Sequence, residues 1–131
     1  MSIPTIRFEA ADFVDALPSE GYHESVVSSA RFRTSAAGNR TLQVVYRLKD
    51  VTPGFDQVTE YFVIDGVEAR ARAIARRRLL GLCRSCGVEP QQDEPLALDR
   101  LVGARLRVRL GHESYEGGSR LRVLGHRPVA R

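Results

Sequence analysis

Val67 to Gly87, VEARARAIARRRLLGLCRSCG, constrains the fold more than any other stretch, because it is the one long helical pattern in the chain. Val67, Ala71, Ile74, Ala75, Leu79, Leu82, Cys83 and Cys86 recur at three- and four-residue steps, which puts them on one stripe of a helix. Asp65 stands at the N-cap position with Glu68 three residues on, an Asp version of the capping box. Gly87 supplies a left-handed stop and Pro90 prevents the helix from resuming. Arg70, Arg77 and Arg84 fall opposite the stripe, and Arg72, Arg76 and Arg78 flank it. A single amphipathic helix needs something to cover, and the segments around it read as strands.

Three strands are expected before the helix and two after it. Tyr22 to Arg33 places Tyr22, Val26, Ala30 and Phe32 on one face and Arg31 and Arg33 on the other. Arg40 to Lys49 alternates most cleanly, with Leu42, Val44, Tyr46 and Leu48 inward and Gln43, Val45, Arg47 and Lys49 outward. Pro53-Gly54 breaks the pattern before Gln57 to Ile64, where Val58, Phe62 and Ile64 point inward and Thr59, Tyr61 and Val63 outward. Glu60 lands on the inward side with no partner evident in the sequence. Beyond the helix, Glu89 to Pro95 is a polar connector and Leu96 to Leu101 a short helical turn. Ala104 to Leu110 and Ser119 to His126 are the last strands, joined by a loop over His112 to Gly118 that carries Tyr115. Leu106, Val108, Leu110, Leu121 and Val123 form their inward faces.

At 131 residues the chain is expected to form a single domain, with residues 1–21 as a lead-in whose Ile6, Phe8, Phe13 and Leu17 anchor it along the rest. Five short alternating strands with one covering helix close most economically into a small barrel. A helix between the third and fourth strands predicts a mainly β, five-stranded OB-fold barrel. An SH3-like barrel would lack the long helix, and a ferredoxin-like fold would need two.

Several function classes receive no support. No apolar run approaches the ~18 residues of a membrane span, and no basic start with an apolar block marks a signal peptide. A cytoplasmic protein with reduced thiols is the expectation, with no membrane partner. Cys83 and Cys86 form a C-x-x-C in the last turns of the helix, where the dipole opposes thiolate formation. A zinc site needs two more ligands, and His23, His112 and His126 are scattered singly. Core packing of two thiols is the better reading, with no metal and no cofactor. No phosphate loop, nucleophile elbow or zinc-protease signature is present. Asp12, Asp15, Asp93 and Glu94 sit in polar loops without apolar neighbours, so no acid–base pair and no enzyme activity are expected.

The charge is uneven along the chain. Residues 1–66 carry a net −3 and residues 67–131 a net +7, and every basic residue but Lys49 is arginine. Arg31, Arg33, Arg47, Arg105, Arg107, Arg109, Arg120 and Arg122 fall on outward strand positions, with Tyr61 among them and Tyr115 in the last hairpin. Guanidinium groups track phosphates and aromatic rings stack on bases without reading sequence, the combination by which small barrels hold single strands. Outward arginines are also compatible with a merely solvated surface.

Leu17-Pro-x-x-Gly-Tyr22, Ala75-Arg-Arg-Arg-Leu79-x-x-Leu-Cys83-Arg-x-x-Gly87-Val88, Leu101-Val-Gly103 and Gly125-His-Arg-Pro128 together resemble a family of phage and prophage proteins. That family is domain of unknown function 669, and the similarity runs from about Phe8 to Pro128. The resemblance implies an OB-like protein of the bacterial host cytoplasm, serving phage DNA replication or recombination by binding single-stranded DNA. RNA is the second ligand to consider, and a phage recombinase or replication protein is the protein partner implied. Homo-oligomers are compatible with such a role. No catalytic residues carry over. The basic end, Arg127-Pro-Val-Ala-Arg131, differs from the acidic tail by which familiar single-strand-binding proteins recruit partners. The competing expectation is a protein-interaction or structural accessory of a replication or recombination complex that does not touch DNA.

Overall fold

The computed structural model describes residues 3–8, 17–51, 53–115 and 118–129. Five strands and one helix follow in the order β1 (Gly21–Thr34), β2 (Arg40–Leu48), β3 (Gln57–Asp65), α1 (Ala69–Ser85), β4 (Arg105–Tyr115) and β5 (Gly118–Arg127). A 3₁₀ turn at Leu98–Arg100 lies between α1 and β4, where the short helical turn was expected. The strands make one antiparallel sheet in the order β3-β2-β1-β4-β5. Among the described residues the chain is thus mainly β with one α-helix. The sheet is not closed: β3 and β5 are its two edges, and no backbone ladder joins them.

The inward positions of β2 and β3 follow the alternation. Leu42, Val44, Tyr46, Leu48, Val58, Phe62 and Ile64 are buried, together with Leu106, Val108 and Leu110 from β4. Ala75, Leu82 and Cys83 of α1 complete this core, and α1 packs against the two edge strands, β3 and β5.

β1 departs from the expected pattern. Ser25 and Val27 are buried in its first half, while Tyr22 and Val26 face out. The pairing with β2 shifts between Val27 and Ser29, so Ser28 is an extra residue that reverses which side chains point inward. Beyond the bulge Ala30 packs on the core as expected, whereas Phe32 stays 43% exposed with the Arg40 guanidinium 4.1 Å from its ring centroid. The bulge also ends the partnership with β4. Val27 exchanges backbone hydrogen bonds with Gly103 and Ala104, and from Ser29 onward β1 pairs with β2 alone. A bulge bends its strand and adds twist, which carries β2 and β3 round toward the far edge of the sheet.

The helix starts later than its apolar pattern does. Asp65 remains in β3 opposite Arg40 and lies 3.6 Å from Arg76, so its carboxylate is not available as a cap. Glu68 becomes the N-cap and makes no side-chain capping bond. Gly66 turns the chain between the two elements at φ +87°, and a Cβ there would meet Oδ1 of Asn39 at 2.5 Å. At the other end the expectation holds. The Val88 N–H donates to Cys83 O at 2.9 Å and the Gly87 N–H to Arg84 O at 3.0 Å, the paired bonds of a Schellman stop, with Gly87 at φ +78°. Ile74 is largely exposed and Leu79 only half-buried, so the stripe that is buried is narrower than the sequence indicates.

Two further expectations change. His112 to Gly118 is not a loop, because β4 and β5 continue as a hairpin to the pair Tyr115 and Gly118. The lead-in is held at its end: Pro18 is buried and its carbonyl accepts the Nε2–H of His112 at 2.6 Å. Ile6 is 79% exposed and Phe8 64%, so neither is buried as an anchor, and Phe13 lies outside the described residues.

Leu82→Ala should cost about 2–5 kcal/mol in urea denaturation, because the side chain is wholly buried and leaves a cavity. Leu79→Ala should cost clearly less, since its site already reaches solvent.

Candidate functional site

Glu60 organises the gap between the edge strands. Its carboxylate is almost wholly buried and takes donors from three other elements. The Tyr46 hydroxyl of β2 donates to Oε1 at 2.6 Å, Nε2–H of His126 in β5 donates to the same oxygen at 2.7 Å, and Arg78 of α1 donates to Oε2. A carboxylate can only accept, so Nε2 is the protonated ring nitrogen of His126 in this arrangement. The His126 ring stacks on Phe62 at 6.3 Å, and the Arg78 guanidinium lies 5.1 Å from the Phe62 ring centroid. Burial, and then the charge of Glu60, push the Tyr46 phenol far above its usual range. Every lone pair in use here holds a strand or the helix, so the cluster is a clasp across the β3–β5 gap.

His126 reaches Glu60 because of a second bulge. The β4–β5 register shifts between Arg109 and Leu110, which leaves Leu124 without a partner and reverses the faces beyond it. His126 then stands opposite inward-facing Val108, and Arg127 opposite outward-facing Arg107.

The outward arginines fall into two groups. The first surrounds Tyr61, whose ring is 54% exposed. Tyr61 pairs with Gln43, which pairs with Arg31, and the neighbouring Arg33 donates to Oε1 of Gln43 at 2.9 Å. On its other side Tyr61 lines a groove with Arg78, Arg120 and Arg122, floored in part by Glu60. A second depression joins Tyr61 to Arg33 and to residues 34–36 of the β1–β2 turn. Arg120 is held by Glu113 at 3.0 Å, whereas Arg31 and Arg122 have no ion pair or side-chain hydrogen bond among the described residues. The second group, Arg47, Arg105, Arg107 and Arg109, lies across β2 and β4 on the outer surface. The uncharged row Thr59, Val45 and Ser29 separates it from Arg31 and Tyr61. The Tyr115 side chain lies outside the described residues, as do Asp12, Asp15 and Glu116.

Arg78 and His126 of the clasp, and on the outer surface Tyr22 and Arg127, whose guanidinium lies 4.5 Å from the Tyr22 ring centroid, are the contributors that strand alternation did not single out. Glu60 was the available signal for the first two, because a carboxylate on an inward strand position demands donors. The thiols are unpaired, with Cys83 buried and Cys86 half-buried. Burial raises both pKa values, that of Cys86 to about 12, which leaves them poor nucleophiles at neutral pH. Among the described residues no three His, Cys, Asp or Glu side chains stand close enough to hold a metal, and no helix is long and apolar enough to cross a membrane.

Glu60→Ala should destabilise the fold by about 3–5 kcal/mol in urea denaturation, the cost of stripping a buried acceptor from its donors. Arg78→Ala should cost much less, because its side chain is 44% exposed and leaves Tyr46 and His126 still bound to Glu60. No protein-family model matches the sequence, and no curated protein matches it.

Proposed function

We propose that this chain is a non-catalytic, sequence-tolerant binder of single-stranded nucleic acid, DNA before RNA, on the seam between β3 and β5. The observation that carries the reading is Tyr61: an exposed ring in a groove lined by the guanidinium groups of Arg78, Arg120 and Arg122, of which Arg122 has no carboxylate partner among the described residues. Arginine charge holds the phosphates and the ring offers a stacking platform that any base fits. We read the sheet as an OB-like barrel whose last seam is closed by the Glu60 clasp in place of a ladder. The strand order and the position of α1 after β3 support this. OB-folds bind oligonucleotides over strands 2 and 3, between the first and last hairpin loops. Tyr61, Gln43, Arg33 and residues 34–36 occupy the corresponding surface here. The motif resemblance to phage and prophage proteins supports a role in phage DNA replication or recombination.

The test is a fluorescence titration with labelled single-stranded oligonucleotides over a range of salt. Tyr61→Ala should weaken binding by about 1–3 kcal/mol, roughly 5- to 150-fold in Kd, with the log–log salt slope nearly unchanged. Arg122→Ala should make the slope shallower by about 0.7, one phosphate's share on a single strand, with little change in base preference. No detectable binding at low salt ends this reading in favour of a protein-interaction accessory.

A further inference from the structure

The second arginine group has a chemistry of its own. Register places Arg47, Val26 and Arg105 in one row across β2, β1 and β4, and Arg107 lies next along β4 between Glu24 and Arg127. Arg109 follows opposite Tyr22. Residues two apart on a strand share a face and stand about 6.6 Å apart, so these guanidiniums form a shallow diagonal band on the sheet exterior. Arg47, Arg105 and Arg109 have no ion pair or side-chain hydrogen bond among the described residues. Glu24, which shares these rows, has Lys49 at 3.5 Å.

The contrast with the seam lies in the aromatic ring. Tyr22 is 38% exposed, but the Arg127 guanidinium sits 4.5 Å and that of Arg107 5.9 Å from its centroid. Arg107 is further fixed by its Nε–H donating to Pro128 O at 2.9 Å. The ring is therefore engaged by cations and is less open to a base than that of Tyr61. Arginines that are already ordered lose less side-chain entropy on binding an anion. Only Arg107 and Arg127 are held in this way, while Arg47, Arg105 and Arg109 are free to turn toward an anion. A band of positive charge with no aromatic platform as open as Tyr61 suits a polyanion whose bases are already stacked within it.

We propose that this band is a second nucleic-acid site, which grips the phosphate backbone of a duplex independently of the single-strand seam. The proposal shares with the seam reading only the class of ligand, since none of the band's residues lines the β3–β5 groove. A protein with both surfaces is suited to junctions where a single strand leaves a duplex.

The experiment compares the intact chain with an Arg47→Glu, Arg105→Glu, Arg109→Glu variant, each protein first shown to be folded by circular dichroism and thermal melting. The probes are a blunt labelled duplex and a labelled single strand of about eight nucleotides, a length one small β module covers. Duplex binding should be lost in the variant while the short single strand binds within about twofold. The corresponding triple Arg→Lys variant keeps the charge and should retain duplex binding, with a salt slope near that of the intact chain. Singly neutralised variants should each lower the duplex slope by about 0.9. The proposal is overturned if the intact chain binds no duplex, or if duplex binding survives the triple reversal and disappears with Arg31→Ala and Arg122→Ala. It is equally overturned if polyglutamate binds the band as well as duplex does, which would point to an acidic protein partner. Failure of the single strand alone to bind would count against the seam and leave the duplex result to decide the band.

Discussion

The buried carboxylate of Glu60 is the interaction on which the rest of the arrangement depends. Moving an ionised carboxylate out of water costs several kcal/mol unless good donors surround it. Here the donors come from Tyr46 in β2, His126 in β5 and Arg78 in α1, so satisfying one side chain fixes three elements relative to β3. Among the described residues no buried side-chain nitrogen or oxygen is left without a partner. The clasp does the joining that a ladder would do in a closed barrel. It works through side chains, so the β3 and β5 edges stay apart at the surface and a groove lies between them. Edge strands invite pairing with other chains, and the charged Arg78, Arg120 and Arg122 along this seam discourage it.

Two single-residue bulges decide which side chains reach which surface. Ser28 turns Tyr22 and Val26 outward while keeping Ala30 on the core. Leu124 turns His126 inward to Glu60 and, in the same stroke, Arg127 outward to Tyr22. Without the second bulge the strand would present Gly125 and Arg127 to the core and leave the clasp one donor short. The clasp and the cation band thus rest on the same irregularity.

This is also where reading the sequence stops being sufficient. The inward faces of β2 and β3 were legible, because Leu42, Val44 and Tyr46 alternate in β2 and Val58, Phe62 and Ile64 in β3, broken only by Glu60. So was the end of α1, where Gly87 has a local conformational reason to be glycine. The faces of β1 and the far half of β5 were not, since period-two alternation carries no marker for an inserted residue. Asp65 had the right spacing for a cap, but pairing within β3 and the nearby Arg76 claimed it first. Of the outward arginines, Arg107 is half-buried and the others are exposed. Their division into a seam group and a band depends on how the sheet bends, which no local pattern encodes. Glu60 was visible as an anomaly, and its partners lie 14 to 66 residues away.

In the proposed function these pieces act together: the clasp joins the two edges beneath the groove, Tyr61 stands in it, and Arg78, Arg120 and Arg122 line it. The most direct measurement is a two-dimensional amide NMR titration of the intact protein with a short single-stranded DNA. The account predicts that shifts concentrate at Arg31, Arg33, Tyr61, Arg78, Arg122 and His126, with the β1–β2 turn moving alongside them. Shifts that bypass the β3–β5 seam and gather instead on the exposed Ile3 to Phe8 segment, or the exposed side of α1 around Ile74, would contradict it.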